Sequence, residues 1–431
     1  MSDVRRTWEE ELAIVDHAMK AVSRVDTPEE MVDVYWSHIG ELMPGDDYVT
    51  LSRRGVEPPD FIVTRSSRWE SELNPWTERD RLPRLRGGLL GELAYAERPV
   101  YIDDLPARLS PDDPGWFYLQ GFARAVVSPQ YENGVAMNIS VMLLPPGKAF
   151  DVRLMPVLHW QSGLFGRATQ GLVLRRQLKA ALKRLDREVQ VVGDIQRSLL
   201  PRELPKVTGF DFAAHYRTSA QAGGDYYDFF PIGENGWGLF IADVAGHGTP
   251  AAVLMAITHA IAHTRPGDPV PPGEVLAHLN RHLCGTYTSN GTFITAFYAA
   301  LDPVRRTLTY ATAGHNPPRL LRRGQVQSLD GAAGLPLGIM PDLDYAETTI
   351  PLEAGDLLLL YTDGITEAKA PREQDGSADL FGVDRLDALL RRCSTTTAAE
   401  TIECVRCAVA EFTNHAPPGD DETLVAMRVA R

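Results

Sequence analysis

Four aspartates constrain the C-terminal part of this chain more than any other feature. Asp225, Asp243, Asp363 and Asp420 each stand at the edge of an apolar, strand-like run. These runs are Gly223-Gly224-Asp225-Tyr226-Tyr227-Asp228, Phe240-Ile241-Ala242-Asp243-Val244, Leu357-Leu358-Leu359-Leu360-Tyr361-Thr362-Asp363 and Asp420-Asp421-Glu422-Thr423-Leu424-Val425. Strand ends on a rigid sheet can bring distant residues to one rim, and a neighbouring glycine lets the backbone approach an ion closely. Any one of these aspartates alone reads as a turn or a helix cap. Several carboxylates sharing one pocket, however, could not all stay ionised without cations, because like charges raise one another's pKa. Oxygen ligands without paired His or Cys suit Mg²⁺ or Mn²⁺ better than Zn²⁺ or copper.

Five motifs carry the pattern in order. They are Gly-Gly-Asp-x-x-Asp at 223–228, Asp-Val-x-Gly-His-Gly at 243–248, Ala-Gly-His-Asn-Pro-Pro at 313–318, Thr-Asp-Gly-x-x-Glu at 362–367 and Asp-Asp-x-Thr at 420–423. Together they resemble the metal-dependent PPM-type serine/threonine phosphatases, in particular the bacterial branch of stress-response and sporulation phosphatases. Pro201-Arg202 followed by Leu204-Pro205 resembles the segment that opens that branch's catalytic domain. The resemblance implies an α+β fold over 201–431, an α/β-sandwich of two antiparallel sheets packed face to face and flanked by helices. It implies two divalent ions, Mn²⁺ or Mg²⁺, bridged by Asp243. The carbonyl of Val244 would help hold one of them, and Asp363 and Asp420 would complete the shell of the other. Asp225 would reach an ion directly or through water, and Asp228 is left open. Asp243 and Asp225 are catalytic on this view, since such ions lower the pKa of a water toward neutrality and offset phosphoryl charge during in-line attack. His247 and His315 sit beside glycines and suit turn formation as well as acid or ligand chemistry. No arginine motif for gripping phosphate is visible.

Local signals in this part agree with a layered domain. Thr249-Pro250 opens a helix through Leu254, Ile257 and Ile261, and further helices are expected at 274–283, 383–391 and 398–412. Strands are expected at 294–301, 307–312 and 424–429.

Upstream, Trp8, Leu12, Val15 and Met19 mark one helix within 8–43, and Met31, Val34 and Ile39 mark a second after Thr27-Pro28. Extended runs follow at 48–51, 61–64, 100–102, 125–127 and 137–144, and 154–165 is helical again. Gly87-Gly88-Leu89-Leu90-Gly91-Glu92-Leu93, then Arg98-Pro99-Val100-Tyr101-Ile102-Asp103-Asp104, resembles the short helix and following strand of a GAF domain. The resemblance implies a GAF-like α+β sensor domain over 1–168, and an unrelated sensor fold such as PAS is the alternative. The segment contains no cysteine, so a thioether-linked chromophore is excluded. Over 169–200, Leu174, Leu178, Ala181, Leu185, Val189, Val192, Ile195 and Leu199 keep near-heptad spacing. A helix packed on its own domain would satisfy that spacing. A helical linker forming a dimeric coiled coil, carrying a signal from sensor to effector, is the expectation, and Pro201 and Pro205 end it.

The net charge is −14, and the only basic surplus falls in 166–200. Two acidic bodies joined by a basic connector argue against nucleic-acid binding. Cys284, Cys393, Cys404 and Cys407 are too sparse for a disulfide framework or a four-thiolate zinc site, and Cys404 and Cys407 read as helix-face residues. The start, Met1 to Glu11, is charged, and no apolar run approaches the ~20 residues that cross a bilayer. A cytoplasmic chain without membrane contact is therefore expected. The expected activity is a sensor-regulated serine/threonine phosphatase. The resemblance implies a phosphorylated anti-anti-sigma factor-like protein as substrate; an activator or small-molecule ligand is expected at the GAF-like domain, and the coiled-coil reading of the linker makes a homodimer the expectation. A phosphatase-like binding module without catalysis and a hydrolase of small phosphoesters are the competing readings.

Overall fold

The computed structural model describes residues 7–39, 46–264, 270–288, 291–371, 378–393 and 396–430. The chain divides into two units, Met1–Leu182 and Lys183–Arg431.

In the first unit, α1 (Trp8–Val22) starts at a capping box made by Thr7 and Glu10, and α2 (Pro28–Ile39) starts at a first-turn proline. The expected continuation of the second helix over 40–43 lies outside the described residues. The strands are β1 (Asp47–Ser52), β2 (Asp60–Ser66), β3 (Arg84–Arg86), β4 (Val100–Ile102), β5 (Arg124–Glu132) and β6 (Val135–Leu144). They form one antiparallel sheet in the order β3-β2-β1-β6-β5-β4. Alternation along β6 shows how the sheet is covered on both faces. Ile139, Val141 and Leu143 pack with Leu90 of α3 (Gly88–Ala94) and Leu119 of α4 (Trp116–Leu119). Met142 and Leu144 pack on the other side with Met31, Tyr35, Leu158 and Phe165. Strand β3 escaped prediction because three residues reading Arg-Leu-Arg carry no usable period. A cavity of about 410 Å³ lies in this unit, lined in part by Tyr35, Trp36, Arg54, Arg65, Trp76 and Arg79.

The segments expected as separate helices at 154–165 and 169–200 are one helix, α5 (Met155–Leu199). No proline interrupts it between Pro156 and Pro201, and isolated glycines cost only about 1 kcal/mol each in a helix. From 174 to 188 this helix is exposed on every side.

The second unit rests on runs that are apolar at consecutive positions, a pattern that requires cover on both faces of a strand. Strands β7 (Phe210–Arg217), β8 (Tyr226–Ile232) and β9 (Gly236–Val244) precede helices α6 (Thr249–His263) and α7 (Pro272–Leu283). Then come β10 (Ile294–Asp302), β11 (Thr307–Ala313), β12 (Arg319–Arg322), β13 (Gln325–Ser328), β14 (Thr348–Pro351) and β15 (Leu357–Tyr361). The short helix α8 (Asp363–Thr366), α9 (Gly382–Arg392), α10 (Ala398–Phe412) and β16 (Glu422–Val429) complete the chain. Two five-stranded sheets result, ordered β14-β11-β10-β9-β8 and β13-β12-β15-β16-β7, and every pair in them is antiparallel. Leu358, Leu360, Val425 and Met427 point into the core shared with Phe240 and Phe297 of the facing sheet. Leu357, Leu359, Leu424 and Ala426 point outward, under Leu386 of α9 and Ile402 and Val405 of α10. Each fully buried leucine contributes about 2 kcal/mol of transfer free energy. Cys404 of α10 is bonded to Cys393, a disulfide not anticipated because the two cysteines stand 11 residues apart on different elements. Cys407 is exposed on α10, as expected of a helix-face residue. No helix of the described residues is long and apolar enough to cross a membrane.

Candidate active site

Pairing registers bring the acids together. Tyr226 of β8 lies opposite Ala242 of β9, so Asp225 and Asp243 leave neighbouring strands side by side. On the other sheet Tyr361 of β15 faces Leu424 of β16, and the Thr362 N–H donates to the Thr423 carbonyl at 3.1 Å, which places Asp363 beside the Asp420–Asp421 turn. The two sheets meet at Asp225, whose Oδ2 accepts from the Thr362 hydroxyl at 2.7 Å and the Thr423 hydroxyl at 2.5 Å. The carbonyl oxygen of Val244 faces the same loop: a Cβ on Gly224 would come within 2.8 Å of it. Only glycine admits that approach.

The electrostatics are those of an anionic cluster. Asp225 is 1% exposed, and burial followed by the neighbouring Asp243 raises its pKa well above the usual carboxylate range. Asp243 is pushed up to about 7 by burial and then by the charges of Asp363 and Asp420. Asp363 is pushed up to about 6 by burial, then by Asp420 and Glu367. Among the described residues, no lysine or arginine pairs with any of the four. Carboxylates held close without a positive side chain, and joined by a backbone carbonyl, fit hard divalent cations.

The other acids in the motifs behave differently. Asp421, beside Asp420 in the last motif, is 4% exposed and turned inward. Its carboxylate accepts from the backbone N–H of Ser219 at 2.8 Å and of Gly224 at 2.6 Å, strapping the loop that precedes Asp225. We expect Asp421→Ala to cost roughly 3 kcal/mol in urea unfolding, since it strands two N–H donors that a carboxylate had satisfied. A loss below about 0.5 kcal/mol would remove this strap from the account. Asp228 does not join the cluster: period-two alternation turns it with Tyr226 toward α6, where it accepts from the Phe229 N–H at 2.7 Å and meets His263. Thr423 of the last motif reaches Asp225 on the opposite sheet.

The histidines stand apart from the acids. His247 is exposed in the loop after β9. His315 is buried, its Nδ1 lies 2.9 Å from the Thr295 hydroxyl, and burial lowers its pKa to about 4, so the ring is neutral near pH 7. Thr295 sits opposite Asp243 in the β9–β10 register. His315 thus braces the strand paired with the one that presents Asp243.

The largest contribution missed in the sequence comes from α5. Gln196, 2% exposed, brackets Gly223, accepting from its N–H at 2.9 Å and donating to its carbonyl at 2.7 Å. One turn earlier a Cβ on Gly193 would fall 1.9 Å from the Gln221 carbonyl oxygen. Neither residue lies in a motif, so only an amide and a glycine on the inner face of the helix could have signalled them.

Two face-to-face antiparallel sheets with outer helices and acids gathered where their strands end define the PPM-type, or PP2C, phosphatase fold. A solved structure described as the SiaA-PP2C domain of Pseudomonas aeruginosa superposes with a TM-score of 0.51 at 26% identity, covering 58% of this chain and 98% of that one. The family Stage II sporulation protein E (SpoIIE) matches residues 233–430, so this part of the chain is similar to that family's domain. Among curated relatives, phosphoserine phosphatase RsbU of Bacillus subtilis (strain 168) is 33% identical over 193 residues, covering 44% of this chain and 57% of its own. Phosphoserine phosphatase RsbP of the same organism is 28% identical over 187 residues, covering 43% of this chain and 46% of its own. The chain spans about half the length of the curated relatives it matches. The PPM family is metal-dependent.

Proposed function

We propose that this chain is a sensor-regulated protein serine/threonine phosphatase, and that Asp225, Asp243, the Val244 carbonyl, Asp363 and Asp420 hold two Mg²⁺ or Mn²⁺ ions. The observation that carries the reading is the convergence of four carboxylates without a cationic side chain, on a fold whose relatives are named phosphoserine phosphatases. When bound, such ions supply Lewis acidity toward phosphoryl oxygens and make water available as a nucleophile near neutral pH. The chain's own residues hold that arrangement in place. Thr362 and Thr423 fix the carboxylate of Asp225, Asp421 fixes the loop before it, and neutral His315 supports the strand beneath Asp243.

The substrate class in this reading is a phosphoserine or phosphothreonine protein, in line with relatives named phosphoserine phosphatases, and the anti-anti-sigma type is what the motif resemblance implies. Control belongs to the first unit, read as a GAF-like sensor over 1–168. Its cavity, with two tryptophans and three arginines among its lining residues, supports a small-molecule ligand there. The deciding experiment measures phosphate release from a phosphorylated anti-anti-sigma protein and from nucleotides, with Mn²⁺, Mg²⁺ or EDTA. Metal-dependent release from the protein alone supports the reading. Release from nucleotides alone would make the chain a small-phosphoester hydrolase, and no release from either would leave a binding module.

The helical linker over 169–200 is assigned to a dimeric coiled coil within a cytoplasmic homodimer. Leu174, Leu178, Leu182 and Leu185 are 55–61% exposed on α5, an apolar stripe that a second copy would cover. Leu178→Glu combined with Leu185→Glu is expected to halve the mass found by light scattering. An unchanged mass would remove the coil from the account.

A further inference from the structure

Asp228 is an acid of the phosphatase motifs that the acidic cluster does not use. It projects from β8 toward the last turns of α6, where His259 and His263 stand one helical turn apart. One ligand atom from each of the three residues lies within 4.8 Å of the other two. Asp228 Oδ2 is 2.7 Å from His263 Nε2, and the His259 and His263 rings lie 4.2 Å apart between centroids. We propose that Asp228, His259 and His263 form a second, mononuclear site for a transition-metal dication of the Zn²⁺ class, separate from the acidic cluster.

The donor chemistry favours this over a simple ion pair. One histidine would suffice to pair with Asp228, yet a second imidazole sits against the first, and among the described residues His259 has no hydrogen-bond partner of its own. Histidines at i and i+4 lie on one helix face, the spacing by which helices chelate an ion with two imidazoles. Two nitrogens and one carboxylate oxygen are the donors preferred by Zn²⁺, Co²⁺ and Ni²⁺, whereas Mg²⁺ and Mn²⁺ prefer oxygen throughout. The carboxylate is aimed in advance: the Tyr226 hydroxyl donates to Oδ2 and the Phe229 N–H to Oδ1. Such outer hydrogen bonds orient a ligating group. Burial follows a gradient suited to entry from solvent, with Asp228 buried, His259 half-buried and His263 exposed. Burial and the adjacent His263 also lower the His259 pKa, keeping its ring nitrogen unprotonated and able to donate. The inference stands apart from the phosphatase reading, because it uses none of the residues assigned to phosphate chemistry.

The test uses the full chain, stripped of metal and held in excess Mg²⁺ so that all-oxygen sites are filled. Co²⁺ is titrated while its visible d–d absorption is followed, and Zn²⁺ is then added as competitor. The expected result is saturation at a single Co²⁺ per chain, displacement by Zn²⁺, and loss of the signal in the His259→Gln/His263→Gln variant. Should the double variant fail to fold by circular dichroism, His263→Gln alone decides, because its site is exposed and the change should weaken Co²⁺ binding by about tenfold or more. Asp243→Asn should leave the Co²⁺ titration unchanged, which separates this site from the acidic cluster. No Co²⁺ signal from the wild-type chain in excess Mg²⁺ overturns the proposal, and so does a variant curve that superimposes on it.

Discussion

Asp243→Asn is expected to lower metal-dependent phosphate release from a phosphoserine protein by about 10²–10³-fold, equivalent to the several kcal/mol of charge stabilisation that bound ions supply. The substitution is nearly isosteric, so the backbone and the β9–β10 register should survive, and far-UV circular dichroism should not change. Asp243 is the right position for such a test because it touches the cluster from both sides. It raises the pKa of Asp225, and Asp363 and Asp420 raise its own. An opposite effect on stability should accompany the loss. In metal-free protein the asparagine removes a negative charge from among like charges, so the variant should melt higher than the wild type in EDTA. Wild-type turnover in the variant would end the assignment of Asp243 as the central ligand. Lower stability in EDTA would show that the cluster is not repulsive.

In metal-free protein, folding stability should fall by roughly 3 kcal/mol between pH 5 and pH 8, and Mg²⁺ should restore most of it. The sign follows from the carboxyls of Asp243 and Asp363, held at about 7 and about 6 in the folded chain against an ordinary value of 3.8. Between those values the native state keeps protons that the unfolded chain has released. Their stabilising contribution is complete below about pH 4 and is lost as the pH climbs through the folded values. An ion that binds only the folded state adds about 2.7 kcal/mol at a hundred times its dissociation constant. Thermal melts at pH 5.5 and pH 8, in EDTA and in Mg²⁺, measure both effects. An EDTA-treated chain that melts higher at pH 8 than at pH 5.5 would contradict them.

How much of this was legible in the sequence depends on the kind of information each residue carries. Strand β15 was readable because four consecutive leucines have no other stable place than a strand covered on both faces. Helix α10 spans the range expected for it, Ala398–Phe412, and its start is marked by the capping box of Thr397 and Glu400. The clustering of Asp225, Asp243, Asp363 and Asp420 was foreseeable from their place at strand ends. The partition of neighbouring acids was not. Asp420 and Asp421 are indistinguishable by type and adjacent in the chain, and only the turn before β16 sends one to the cluster and the other to Ser219 and Gly224. Strand alternation separates Asp228 from Asp225. The hydroxyls of Thr362 and Thr423 lay inside the motifs, yet their common acceptor is 137 and 198 residues away, beyond the reach of any local pattern. Cys393 and Cys404 were opaque for a related reason, since their meeting depends on how α9 and α10 pack.

The grip of Gln196 and Gly193 on residues 221–223 gives α5 mechanical purchase on the Asp225 loop. With a side-chain amide clasping one peptide and bare helix backbone pressed on another, the helix cannot roll or slide without hauling that loop along. Under the proposed sensor-regulated reading, a signal carried along this helix would therefore need no messenger residue beside the acidic cluster. A shift of that loop would move Asp225, and under the proposed sensor-regulated reading the helix would then act as a throttle.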